Sequence, residues 1–239
     1  MDIHVLASGS KGNCYVLEDD GRMLMLDCGI PMAKIKEGLK HQLWCVDSCI
    51  VSHRHSDHAK SVVALTNYGM DVYAHQSVWD NLTGYTMHRS HFAQVGMPIT
   101  IWVGAGTSEY WTVEPFNADH DVPCLGFIIW SPSNEKILYL TDSATCPAGI
   151  EGLTRIMVGC NYDSEILQTN ALAGEVNEAL KQRILKSHAS LATVMEMLRN
   201  TDLSQTVEVI LLHLSDTNSD ALDFQAQVER LTGVPVRIA

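Results

Sequence analysis

The chain has 239 residues, 46% hydrophobic and 18% charged, enough for one large core, and a single domain over 1–239 is the economical expectation. Sixteen basic against 28 acidic residues leave a formal net charge of −12, which excludes an overall positive field for drawing in a polyanion, so any nucleic-acid substrate must be held by a local patch and by bound metal. No stretch reaches the roughly 18 uninterrupted apolar residues of a membrane helix, and the opening MDIHVLASGSKG lacks a basic segment followed by an apolar one, so a cytoplasmic location without a membrane partner is expected.

In chain order, HVLAS, NCYVLED and RMLMLDCG predict short strands separated by Gly-Asn and Asp-Gly turns. Pro31 opens PMAKIKEGLKHQL, where Ile35 and Leu39 share one face of a surface helix. The strand VDSCIVS runs into SHRHSDHAKS, followed by helical spacing in SVVALTNYG, the strand DVYA and a helix over SVWDNL. Residues 84–92, GYTMHRSHF, show no period and are expected to be a loop. ITIWV, YWTVEPFNADHD, LGFIIWS and KILYLTDS make a second strand-rich stretch. The last third alternates RIMVGC, EVNEALKQRIL, LATVMEMLRN, VEVILLHLS, SDALDFQAQVERL and VPVRIA. Strands then helices, twice over, suggest an α/β (α+β) sandwich of two mixed sheets with helices outside. Seven cysteines, Cys14, Cys28, Cys45, Cys49, Cys124, Cys146 and Cys160, form an odd set without CxxC spacing and point to reduced core thiols.

The chemistry concentrates in Ser52-His53-Arg54-His55-Ser56-Asp57-His58. Alternate residues of extended chain point the same way, so His53 and His55 can share one ion, while Asp57 and His58 fall at the start of the next helix, towards a second. Three polar residues at strand ends complete two ligand sets: His120, Asp142 and His213. They sort as His53, His55 and His120 on one ion, Asp57, His58 and His213 on the other, and Asp142 as the bridge. A lone histidine at a strand end is usually an ordinary rim residue. Five histidines and two aspartates, four of them within six residues, are not explained that way, because burying them together without metal would leave unpaired polar groups.

SHRHSDH with a later His, Asp and His resembles the metallo-β-lactamase superfamily, whose αββα sandwich matches the two-half order. LASGSKGN, LDCGI, YLTDS and HLSDTN resemble its YycJ/WalJ-like branch. That resemblance implies a metal-dependent phosphodiesterase acting on DNA, typically as a 5′ exonuclease. The short chain is also similar to small phosphodiesterases of the ribonuclease Z and phosphonate-pathway type. Gly159-Cys160-Asn161-Tyr162-Asp163 departs from the branch's ESNHD-like run, with Cys160 and Tyr162 replacing an acid and a histidine. Asn161 and Asp163 remain candidates for supporting the ligands.

The loop Ser8 to Asn13 fits either a tight turn or a phosphate cradle, and the resemblance favours the rim of the active site, with Ser10 and Asn13 as substrate-binding candidates beside Lys11. His188, ahead of a helix that Ser190 can cap, is a candidate for leaving-group assistance, or simply a solvated histidine. Asp27 either orients a ligand histidine or caps a turn. His88, Arg89 and His91 either bind a polyanion or form a solvated face, and Arg54 points outward by alternation. The expected mechanism is attack by a metal-bridged hydroxide, with Asp57 both ligating and aiming it. DNA exonuclease or phosphodiesterase action ranks first. A small-molecule hydrolase (cyclic nucleotide, thioester or lactone) is the alternative, and a metal-binding module without turnover comes last. The cofactors expected are two divalent ions, zinc first, with manganese or iron as alternatives.

Overall fold

The computed structural model describes residues 1–80, 82–103 and 108–239. The chain divides into two compact units, Met1–Asn117 with Val122–Glu135, and Ala118–Asp121 with Lys136–Ala239. The strands belong to two β-sheets, with helices between them in the chain, which is the α/β class expected. Among the described residues no helix is long and apolar enough to cross a membrane.

In the first unit, β1 (Asp2–Ala7), β2 (Cys14–Asp19) and β3 (Arg22–Leu26) pair antiparallel. Asp20 and Gly21, both at positive φ, make the two-residue turn between β2 and β3, the conformation that Asp-Gly favours. The chain then turns to parallel pairing, which requires crossovers. After α1 (Met32–Gly38), β4 (Val46–Val51) joins β3. After α2 (Ser56–Ala59) and α3 (Val62–Tyr68), β5 (Asp71–Ala74) joins β4, and after α4 (Gln76–Trp79), β6 (Ser90–Phe92) joins β5. Val16, Met25, Cys49, Val51 and Val72 of this sheet share a core with Ile35 of α1 and Val62 and Leu65 of α3. Two more strands, β7 (Ile99–Trp102) and β8 (Tyr110–Ala118), pair antiparallel, and β9 (Cys124–Trp130) follows.

Two details depart from the sequence expectation. Pro31 precedes α1 as its N-cap residue instead of opening the first turn. Residues 84–92 are not all loop, because Ser90–Phe92 pair with β5, and so short an edge strand carries no period of its own. Of the helix expected over SVWDNL, Asn81 lies outside the described residues.

In the second unit, β10 (Lys136–Leu140), β11 (Arg155–Gly159), β12 (Glu208–Leu212) and β13 (Val236–Ile238) pair in parallel in that order. KILYL, RIMVG and EVILL are buried beyond their first residues, as near-continuous apolar strands are when both faces are covered. Between β11 and β12 come α5 (Ser164–Leu172), α6 (Glu178–Ser187) and α7 (Leu191–Arg199), and α8 (Ala221–Thr232) precedes β13. Ser190 caps α7 by accepting from Thr193 N, as expected. The sequence offers little sign of α5, which starts where Asp163 accepts from Glu165 N and Ile166 N.

Candidate metal centre

The carboxyl end of β4 carries the first group of donors. Ser52 and His53 are fully buried, His55 is the N-cap residue of α2, and Asp57 and His58 lie within its single turn. His53 Nε2 stands 3.0 Å from His55 Nδ1, with the rings nearly perpendicular. His58 Nε2 stands 3.5 Å from Asp57 Oδ2. The strand end and the helix start thus hold two adjacent donor pairs, as the HxHxDH spacing predicts.

Asp27 lies behind them, fully buried at a positive φ of 57°. Its Oδ2 is 2.7 Å from His58 Nδ1, and its Oδ1 accepts from Ser52 N at 2.7 Å. The Ser52 hydroxyl donates to the same carboxylate and lies 3.0 Å from His53 Nδ1. One carboxylate and one hydroxyl therefore grip two imidazoles by Nδ1 and aim their Nε2 atoms at the donor pairs, the arrangement that orients metal-ligating histidines. Asp27 therefore holds the His58 ring. Nothing in the sequence marks Ser52 for this role, because a serine at a strand end has no distinguishing pattern.

The glycine loop packs directly against this turn. Gly12 N donates to Gly9 O, Asn13 N to Asp57 O, and Gly29 N to Asn13 O. Asn13, expected on the rim, is fully buried. Its Oδ1 accepts from Gly9 N and Tyr15 Oη, and its Nδ2 donates to Gly9 O while lying 3.0 Å from His58 Nε2. Its backbone N–H, bonded to Asp57 O, ties the loop to the turn that carries His58. Ser10 and Lys11 are exposed at the tip. A Cβ on Gly29 would stand 1.6 Å from Asp57 O, so backbone must move if one is added. Gly29→Ala is expected to lower stability by about 1–3 kcal/mol and to weaken divalent-metal binding by shifting the Asp57–His58 turn. Urea denaturation and a zinc titration check this, and a variant matching the parent in both would refute it.

The second unit carries the other donors. His120 follows β8, and its Nδ1–H donates to Ser187 O at 2.8 Å. Its Nε2 lies 3.2 Å from Asp121 Oδ1 and 3.9 Å from Asp142 Oδ2. Asp142 follows β10, is 3% exposed, and accepts from Thr141 Oγ1. His213 follows β12 at a positive φ of 53°, with Nε2 3.7 Å from Asp142 Oδ1. Asn161, after β11, donates from its amide to His213 O and lies 3.1 Å from His213 Nδ1. The parallel strand order β10, β11, β12 thus brings Asp142, Asn161 and His213 to one end of the sheet, where open α/β sheets bind ligands.

His188 ends α6 with its Nδ1 3.9 Å from Asp142 Oδ2, as near as His120, and its ring stacks on His213 at 5.3 Å. Donor atoms of His120, Asp142 and His188 all lie within 4.8 Å of one another. Asp121, which the sequence analysis passed over, links His120 to Arg183, whose Nε is 3.3 Å away.

Other expectations resolve locally. Asp163 caps α5 instead of supporting a ligand. Cys160 is fully buried, and burial pushes its thiol well above the ordinary range. Tyr162 packs with Leu167, Val176 and Ile184, and burial raises its phenol too. Arg89 and His91 share the one carboxylate of Asp71 at 2.8 and 2.7 Å, so Arg89 already has an anionic partner within that segment's surroundings. All seven cysteines are free thiols.

Neutral imidazole and carboxylate oxygens are the ligands of zinc and related divalent ions. With Nδ1 of His53, His58 and His120 each engaged by an oxygen, the donors of each unit fit such ions.

The exodeoxyribonuclease WalJ of Streptococcus pneumoniae is 28% identical over 231 residues, covering 90% of this chain and 82% of that protein. The exodeoxyribonuclease YycJ of Bacillus anthracis is 30% identical over 236 residues, covering 92% and 85%. Among solved structures, the metallo-β-lactamase fold protein YhfI from Bacillus subtilis superposes with a TM-score of 0.69 at 16% identity, covering 99% of this chain and 95% of that one. The chain therefore has the metallo-β-lactamase fold. With residues 22–214 matching the beta-lactamase superfamily domain, the chain belongs to that superfamily.

Proposed function

We propose that this chain is a metal-dependent phosphodiesterase that degrades DNA from an end, working as one domain over 1–239. The observation that carries the reading is its likeness, at 28–30% identity over 90–92% of its length, to two proteins named as exodeoxyribonucleases. The donor chemistry supports it. His53, His55 and His120 would hold one divalent ion, Asp57, His58 and His213 a second, and Asp142 both, with zinc first and manganese or iron as alternatives. Such ions supply Lewis acidity towards a phosphoryl oxygen and an attacking water.

The chain's own residues do the rest. Asp27 and Ser52 hold the rings of His58 and His53, and Ser187 O holds His120. Asp57, with 26% of its side chain exposed, can accept a hydrogen bond from the attacking water and aim it. His188, 16% exposed beside Asp142, would give a proton to the departing oxygen. Ser10, at the exposed loop tip, is the substrate-binding candidate that solvent reaches, with buried Asn13 behind it.

The test is nucleotide release from end-labelled DNA, with and without a 5′ phosphate, by zinc- or manganese-loaded protein. Stepwise release is expected. The acidic balance of −12 favours the alternative of a small-molecule hydrolase. No release from DNA, by protein that still cleaves an activated phosphodiester or thioester, would move the assignment there.

A further inference from the structure

Beside the donors of β4 and α2, the first unit contains a cavity of about 570 Å³ lined by Arg54, His55, Ser56, Ala59, Lys60, Val78 and Leu82. Its composition is unlike that of the chain as a whole. The chain carries a net charge of −12, yet this lining has two full cations and no carboxylate. Arg54 and Lys60 are both exposed, and neither has a carboxylate partner among the described residues. By contrast Arg22, Arg89, Arg155, Arg183 and Arg237 are each matched to an aspartate or glutamate. The apolar part of the lining is largely buried, with Ala59 8% and Val78 2% exposed and Leu82 half-buried. His55 belongs both to this lining and to the donor pair with His53.

Resting on the phosphodiesterase reading above, we propose that this cavity is the subsite for the nucleotide next to the scissile bond, with Arg54 and Lys60 on its phosphate and its sugar and base over Ala59, Val78 and Leu82. As in single-strand binding, cations track the backbone, while aliphatic side chains in place of aromatic rings cover the base by burying apolar surface. The volume falls within the ~300–1,000 Å³ of small-molecule sites, enough for one nucleotide. It also supplies the local patch that so acidic a chain needs in order to hold a polyanion. Arg54 thereby gains a role that its outward position between two ligand histidines leaves open.

The test is fluorescence anisotropy of a labelled single-stranded oligonucleotide with metal-free protein across a salt series, beside nucleotide release by the metal-loaded enzyme. The double variant Arg54→Ala/Lys60→Ala is compared with the charge-matched control Lys34→Ala/Lys186→Ala, whose lysines are exposed on α1 and α6. Loss of two phosphate contacts is expected to weaken binding at least ~10-fold and to flatten the slope of log affinity against log salt by about 1.4. KM for DNA should rise in the same variant, with the control following the parent. If the parent binds and degrades DNA while the double variant matches the control in affinity, slope and KM, the subsite is wrong and the nuclease reading stands. If the parent neither binds nor degrades DNA yet cleaves an activated phosphodiester, the nuclease reading fails and the subsite with it.

Discussion

Asp142→Ala protein is expected to lose turnover by on the order of 10³-fold or more and to bind fewer divalent ions per chain than the parent. Asp142 is 3% exposed at the end of β10, with the rings of His120, His188 and His213 all within 4 Å of its oxygens. Removing the carboxylate removes an anion that faces three imidazoles, so ions bound there would lose its countercharge. The fold should survive, because the hydrogen bond from the Thr141 hydroxyl is to a chain neighbour and the strands around Asp142 are held by their own apolar burial. Metal analysis by mass spectrometry, turnover on an activated phosphodiester and a thermal melt of the metal-free protein test the three parts separately. Full metal content with full turnover would show that Asp142 is not a ligand, whereas a collapsed melt would show that its role is structural.

Asp27 should behave differently, because it acts through another residue. Asp27→Ala leaves three buried groups without their acceptor: Ser52 N, the Ser52 hydroxyl and the His58 ring. A loss of about 3–5 kcal/mol is expected, seen as a Tm lower by roughly 10 °C. Asp27→Asn separates orientation from folding. Asparagine tolerates the positive φ of 57° found here and nearly preserves the side-chain shape, but it offers one oxygen where the carboxylate offers two. The amide variant should therefore fold while binding metal ~10–100-fold more weakly, the usual effect of losing the partner of a ligand histidine. A zinc titration against a competing chelator measures it. Equal zinc affinity in Asp27→Asn and the parent would make Asp27 a folding residue only.

What was legible in the sequence is what depends on near neighbours along the chain. Extended alternation paired His53 with His55, and the helix start paired Asp57 with His58, because two- and one-residue spacings fix direction locally. Asp-Gly turns, apolar strand runs and the Ser190 cap were readable for the same reason. The short strand β6 and the capped α5 were not, since the first exists only by pairing with β5 and the second begins at a cap without a clear apolar stripe behind it.

Around the donors the division is sharper. Sequence named His120, Asp142, His188 and His213 as chemical candidates, but the packing of α6, β10 and β12 put His188 as near Asp142 as His120 is. Nothing in the chain order announced that Asp121 would tie His120 to Arg183, that Ser52 would bridge Asp27 to His53, or that Asn13 would be buried behind the loop. Residue type and spacing by themselves determined which atoms could bind metal. Only the tertiary structure decided which atoms hold those atoms in place, because Asp27 and His58 are 31 residues apart and meet only once β3, β4 and α2 have packed.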